Sequence, residues 1–486
     1  MKNLGIFAVF TILLIYTQAD SDDFPLCKAC GCSFNSNNTE ANVTCTKPNT
    51  NQILQDYFWI KNGTNDSIPY NRVVINNDKF INFTYVFPSS QLVYLNLAYN
   101  SIFNISDSIF KNLQNMQVLI LSYNDLEIIH PDTFKGLYLP ERLMPLKSLR
   151  ELRLDHNKIH TLNQDTFEHT TDIQILDLSY NPFEVIDHHT LLAINNLLYL
   201  KELYLQNTEI TTLPDNMLHT PKYLRILDLS GNHGIEKIPE TLYQARSLEN
   251  LYLNNTGFVN LTEKNGFPDL PSLQVLHLCR NEHLHRLARF ALAGLTNLTD
   301  LRLCDNIDLT TIDDFAFAKP TNISGGVIWP PLKKLYIGNN KLSYIDSDIV
   351  ARWDSLTELD IRDNPWTCDC ENQWLIDDLM PIYIKLDENA AKQVMCAAPI
   401  EMEKTSFHHL FVRQSQMRCL DTYGHRPEKD GLLLVGVLTG ILVAIPAVLL
   451  MILAYQKKWF SFQGIFDKSP ASYSRRFYAD TAADDF

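Results

Sequence analysis

Ten cysteines and fourteen histidines hold most of the reactive side chains in this 486-residue sequence. The cysteines form three groups: Cys27, Cys30, Cys32 and Cys45 early, Cys279 and Cys304 in the middle, and Cys368, Cys370, Cys396 and Cys419 late. A cysteine quartet binds zinc as thiolates in a reducing compartment and forms two disulfides in an oxidising one, so the compartment decides between them. His277, Cys279, His283 and His285 make the one metal-like cluster. His283 and His285 follow a strand-like stretch and need not point the same way, so a surface role is the simpler reading. His188-His189 and His408-His409 read as surface pairs. The chain has no GxSxG, HExxH or GxxxxGK[ST] motif and no dinucleotide fingerprint, which argues against an enzyme and gives no cofactor or metal to expect.

The compartment follows from the ends of the chain. Residues 1–19 carry Lys2, an apolar run from Leu4 to Tyr16 and small residues at Thr17 and Ala19, the pattern of a cleaved signal peptide. A second apolar run, 432–454, would span about 34 Å as a helix, enough for a bilayer core. Lys457 and Lys458 follow it, so the tail should face the cytoplasm. Asn-x-Ser/Thr sequons stand at Asn37, Asn42, Asn62, Asn65, Asn82, Asn104, Asn254, Asn260, Asn297 and Asn322, all before that run. An oxidising exterior therefore favours disulfides in both quartets. The net charge of −15 excludes nucleic acid as the expected partner.

The cysteine groups bracket a repeating phrase: Leu, two residues, Leu, one residue, Leu or Ile, two residues, then usually Asn. It runs from LVYLNLAYN at Leu92 and MQVLILSYN at Met116 to LKKLYIGNN at Leu332 and LTELDIRDN at Leu356, eleven units with a period near 24 residues. A degenerate twelfth unit lies at Val73–Asp78. Period-two alternation in Leu-x-Leu predicts a short strand with one apolar face, and stacked units bury what one unit cannot. The closing Asn is placed to bond backbone groups where each coil turns. Leu126, Ile129 and Phe134 would fill the interior from the far side. Cys279 and Cys304 occupy the same slot of adjacent units, and strands about 4.8 Å apart would bring their sulfurs within bonding range.

This phrase resembles the leucine-rich repeat. The resemblance implies an α/β repeat fold, a curved solenoid with a parallel sheet on its concave face. CKACGC with Cys45 looks like the N-terminal cap of extracellular leucine-rich-repeat proteins, and NPWTCDCENQWL from Asn364 looks like their C-terminal cap. By that resemblance Cys27 pairs with Cys32, Cys30 with Cys45, Cys368 with Cys396 and Cys370 with Cys419. The layout is then a signal peptide (1–19), N-terminal cap (20–70), repeats (71–364) and C-terminal cap (365–421). A linker (422–431), membrane helix (432–454) and cytoplasmic tail (455–486) follow. The whole is similar to single-pass leucine-rich-repeat membrane glycoproteins, the group that includes trophoblast glycoprotein and the neuronal adhesion receptors.

Outward positions of the sheet are expected at Glu151, Arg153, Asp155, Asp177, Tyr180, Glu202, Tyr204 and Asp228, and further on at Tyr252, His277, Arg302, Tyr336 and Asp360. Aromatic and charged side chains on a rigid sheet suit protein recognition. A glycan on Asn254 would shield the later repeats, and no sequon separates it from Asn104, so the intervening units are the expected docking face. The function expected is a cell-surface receptor or co-receptor for an extracellular protein ligand; cell–cell adhesion is the alternative. Gly436, Gly440 and Ala444 share one helix face suited to close pairing of two spans. The Asp484-Asp485-Phe486 end resembles a PDZ-domain ligand.

Overall fold

The computed structural model describes residues 24–457, apart from 38, 47–52, 62–65, 78–81, 140–141, 322–325 and 421–426. The signal-peptide segment, Asn62, Asn65, Asn322 and the tail beyond residue 457, with Asp484, Asp485 and Phe486, lie outside the described residues. Two units divide between Met417 and Arg418.

The first unit is a curved solenoid built on one sheet of fourteen strands. In chain order they are β1 (Gly31–Phe34), β2 (Ala41–Thr46), β3 (Tyr70–Asn76), β4 (Tyr94–Asn96), β5 (Val118–Ile120), β6 (Glu151–Arg153) and β7 (Ile175–Asp177). They continue as β8 (Glu202–Tyr204), β9 (Ile226–Asp228), β10 (Asn250–Tyr252), β11 (Val275–His277), β12 (Asp300–Arg302), β13 (Lys334–Tyr336) and β14 (Glu358–Asp360). Spatial order equals chain order, and every pair after the antiparallel β1–β2 hairpin is parallel. Parallel neighbours need a crossover between them, and here each repeat supplies its own.

The register explains the Leu-x-Leu spacing. The central leucines align strand to strand, from Leu95 beside Leu119 to Leu335 beside Leu359, and all are buried. Opposite them a column of rings closes the interior. Phe87, Phe110, Phe134 and Phe167 stack in succession at 5.9, 6.2 and 6.4 Å between centroids. Leu126 and Ile129 lie buried in the same interior. Val73 of the degenerate unit pairs with Leu95, so β3 is a true rung of the sheet.

Each coil leaves its strand through a left-handed residue followed by a buried Asn or Thr. Asn124 is typical: its Nδ2 donates to Leu97 O (3.0 Å) and Leu121 O (2.9 Å), while its Oδ1 accepts from Asn100 N and Ile102 N, both 3.0 Å away. One amide therefore satisfies buried backbone groups of two adjacent coils, which would otherwise be costly to desolvate. Thr208 and Thr256 hold the same slot in units ending in QNT and NNT, and there the next Asn (Asn232, Asn281) completes the network.

Both ends are closed. At the N-terminus Trp59 and Tyr70 are buried, and the Tyr70 hydroxyl accepts from Leu26 N (3.1 Å) and donates to Phe58 O (3.0 Å). At the C-terminus Trp366 Nε1 donates to Ile361 O at 2.9 Å under a helix at Met380–Leu386. Cys27 is bonded to Cys32, Cys30 to Cys45, Cys279 to Cys304 and Cys368 to Cys396. Cys370 and Cys419 are also disulfide-bonded. Two repeats are longer than the 24-residue period, and each carries an antiparallel strand pair of its own, Leu137–Leu139 with Arg142–Met144 and Lys319–Pro320 with Val327–Ile328.

Among the described residues the second unit holds one helix, Pro427–Gln456, of which Leu434–Gln456 is long and apolar enough to cross a membrane. It starts inside the stretch expected to be a linker, because a proline suits the first helical turn and the polar residues after it do not oppose helix formation. A side chain at Gly436 or Gly440 would meet nothing within 4 Å.

Candidate protein-binding face

Outward positions of β6–β9 place ionic and aromatic groups side by side. Arg153 Nε lies 2.5 Å from Glu151 Oε1, and its Nη1 lies 3.8 Å from Asp177 Oδ2 on the next strand. One strand further, the Tyr204 hydroxyl donates to Glu202 Oε2 at 2.8 Å. Gln206 Nε2 donates to Asp228, whose other oxygen accepts from Ser230 N at 2.9 Å. Burial raises the Asp177 carboxyl, with Asp155 adding to the shift, and burial likewise raises Asp228. Tyr204 is raised by burial and by Glu202. Asp228, expected to stand open on the sheet, is in fact buried beneath Gln206.

Asp155 and Tyr180 lie just past their strands rather than on them. Asp155 accepts from the Ser122 hydroxyl and sits 2.9 Å from His156 Nδ1. His156 belongs to a row not anticipated from the sequence apart from Tyr180. Tyr99, Tyr123, His156 and Tyr180 stack in succession, with centroids 4.4, 3.9 and 4.0 Å apart and planes within 15° of parallel. The signal was present: each ring holds the slot immediately before the buried Asn.

Further along the sheet, Tyr252 meets His277 edge-on at 4.8 Å, and Arg302 lies over the Tyr336 ring at 4.6 Å. His277 is lowered to about 4 by burial and by Arg302, against the opposing pull of Asp300. Asn254 is half-buried, and its Oδ1 accepts from Cys279 N at 2.9 Å. Among the other sequons, Asn37, Asn104, Asn260 and Asn297 are exposed and Asn42 is half-buried; Asn82 lies on a short strand paired with that of Asn104. Off the sheet, Asp107, His130 and Asp132 bring ligand atoms within 4.8 Å of one another, a grouping hidden by their separation in sequence.

Two family models match the repeats, a leucine-rich repeat over residues 90–139 and a leucine-rich-repeat region over 160–319. The chain is similar to Tsukushi of Gallus gallus, 30% identical over 42% of this chain and 52% of that protein. It is similar to the oligodendrocyte-myelin glycoprotein of Homo sapiens, 30% identical over 39% of this chain and 38% of that protein. The matches thus span about half or less of these curated relatives. Among solved structures, an internalin of Listeria monocytogenes aligns at 19% identity and a TM-score of 0.42, covering 67% of this chain and 81% of its own. With its stacked coils, bonded ends and apolar helix, the chain is a leucine-rich-repeat-domain protein with cysteine-rich caps and one helix fit to cross a membrane.

Proposed function

We propose that the chain is a single-pass type I protein of the plasma membrane whose solenoid stands outside the cell. There it acts, without catalysis of its own, as a receptor or co-receptor for a protein ligand bound on β6–β9. One observation carries this reading: Arg153, Asp177 and Tyr204 lie together on a rigid sheet, in the interval from Asn104 to Asn254 that contains no sequon. Tyrosine and arginine on a pre-organised surface supply most anchor energy in protein interfaces. Elsewhere, sequons at Asn37, Asn42, Asn82, Asn104, Asn254, Asn260 and Asn297 would hold glycans away from that interval.

The test displays the full-length chain on non-adherent cells and identifies surface proteins cross-linked to it. Arg153→Ala with Tyr204→Ala should abolish capture of a partner that the wild type retains. A control neutralising exposed residues off the sheet, Asp165→Asn with Glu168→Gln, should not. Capture indifferent to the sheet variant would overturn the reading. Aggregation of the expressing cells with one another, surviving tail deletion, would assign adhesion instead.

A further inference from the structure

Three features meet past the C-terminal ends of β6 and β7, where a ring row that begins after β4 comes to its end. The first is the stacked row, whose tyrosines stay open to solvent: Tyr99 is 52%, Tyr123 41% and Tyr180 44% exposed. Rings cover both faces of the inner members Tyr123 and His156, while among the described residues Tyr99 and Tyr180 each have a ring on one face only. Mutual stacking holds the row in place before any partner arrives, so binding orders little that is not already ordered.

The second feature is charge. Asp155, bonded to His156 of the row, and Asp177, at the end of the strand that leads to Tyr180 and close enough to Asp155 to be raised by it, stand on the successive coils of β6 and β7. The third is the placing of the cations. Arg153 is the one basic residue within β6–β9 and already faces Glu151 and Asp177. Arg150, Lys201 and Arg225 precede their strands and so lie at the opposite ends. Arg150 sits 3.5 Å from Asp172 and Arg225 2.6 Å from Glu249. Past the strand ends, Lys158 is paired with Asp125 at 2.8 Å and His156 lies against Asp155. Negative charge therefore exceeds positive where the aromatic row runs.

Accepting the ligand-binding reading above, we infer that this edge receives an arginine-bearing segment of the protein ligand. A guanidinium is planar, forms forked hydrogen bonds to carboxylates and stacks on aromatic rings, so one side chain matches both halves of the edge. An acidic segment would meet carboxylates on every strand. A purely apolar one would desolvate them without compensation.

The probe is fluorescent nona-arginine titrated onto the full-length chain in nanodiscs at about 150 mM salt, where distant surface charges are largely screened. Asp155→Asn with Asp177→Asn should weaken binding about tenfold, as loss of two partly desolvated charge contacts predicts. Tyr123→Asn with Tyr180→Asn should weaken it about threefold through lost ring contacts. The second variant keeps the local backbone, since Asn207, Asn255 and Asn339 hold the same left-handed slot in other repeats. A charge-matched control, Asp165→Asn with Glu168→Gln, neutralises two exposed carboxylates off the sheet and should change binding by less than about twofold. Equal weakening by the control, or no effect of the ring variant, would overturn the inference. Should the peptide bind indifferently while the sheet variant still abolishes ligand capture on cells, the arginine assignment falls and the receptor reading stands. Should capture itself ignore the sheet, both fall.

Discussion

Tyr123 and His156 fill the same slot of consecutive repeats and stack with their centroids 3.9 Å apart and planes 14° from parallel. Both have φ of 54°, in the left-handed region that side chains other than glycine and asparagine avoid. Every repeat turns its coil there, and later repeats fill the slot with Asn207, Gly231, Asn255, Arg280, Asp305, Asn339 or Asp363. Four aromatic rings, Tyr99, Tyr123, His156 and Tyr180, fill consecutive copies of a slot that later repeats give to Asn, Gly, Asp or Arg, a local departure from what the backbone prefers, made where the face gains an exposed edge. Tyr123→Asn should leave stability within about 1 kcal/mol, whereas Tyr123→Val should cost about 1–2 kcal/mol more because a β-branched residue resists positive φ. Urea denaturation of the two variants checks the order. A valine variant as stable as the asparagine one would contradict the left-handed turn.

Asn124 shows what holds adjacent coils together. Its amide serves Leu97 O and Leu121 O as donor and Asn100 N and Ile102 N as acceptor. Asn124→Ala leaves buried backbone groups unpaired in two coils, at a cost of about 2–4 kcal/mol. Asn124→Thr should cost less, since Thr208 and Thr256 hold that position natively. Hydrogen exchange at Asn100 and Ile102 should speed up in the alanine variant while distant repeats stay protected, as nearest-neighbour coupling in a solenoid requires. Uniform acceleration along the chain would count against that coupling.

His277 makes stability depend on pH. Its ring is surrounded by Tyr252, Asp300 and Arg302, and burial lowers it from 6.5 to about 4. Between those values the unfolded chain takes up a proton that the folded chain refuses, so stability is lost as pH falls from about 6.5 toward 4. His277→Phe removes that proton linkage. The drop in denaturation midpoint between about pH 7 and pH 5 should therefore be smaller in the variant than in the wild type. An unchanged drop would show that the imidazole titrates freely.

The spine of the fold was legible because it is periodic. Leu95, Leu119 and Leu152 recur at the spacing of their coils, and a buried residue that recurs can be read without knowing its neighbours. Asn124 was legible for the same reason. Asp228 was misread because alternation gives the face of a strand but not what the next coil lays over it; Gln206 does that covering. Tyr99, Tyr123 and His156 escaped because their slot lies past the strand, where period-two reasoning ends. The left-handed turn aligns those rings, and the one mark it leaves in the sequence is their place just before the recurring Asn.

Gln206 also offers a sharp test of which part of the sheet meets the ligand. Gln206-Asn207-Thr208 in one repeat matches Asn254-Asn255-Thr256 in a later one, so Gln206→Asn creates a sequon by a single change. Thr208 and Thr256 are both buried and bond the same kinds of partner, Leu205 O with Asn232 and Leu253 O with Asn281. A fold that accommodates a glycan at Asn254 should accommodate one at position 206, losing only the Gln206–Asp228 hydrogen bond, about 1 kcal/mol. A glycan at 206 would stand over β8 and β9, beside Tyr204. Gln206→Asn should therefore abolish ligand capture on cells, and removing the added sugar enzymatically should restore it. Asn254→Gln should leave capture intact. Capture that survives a verified glycan at 206 would move the docking face away from β6–β9, whatever else the solenoid binds.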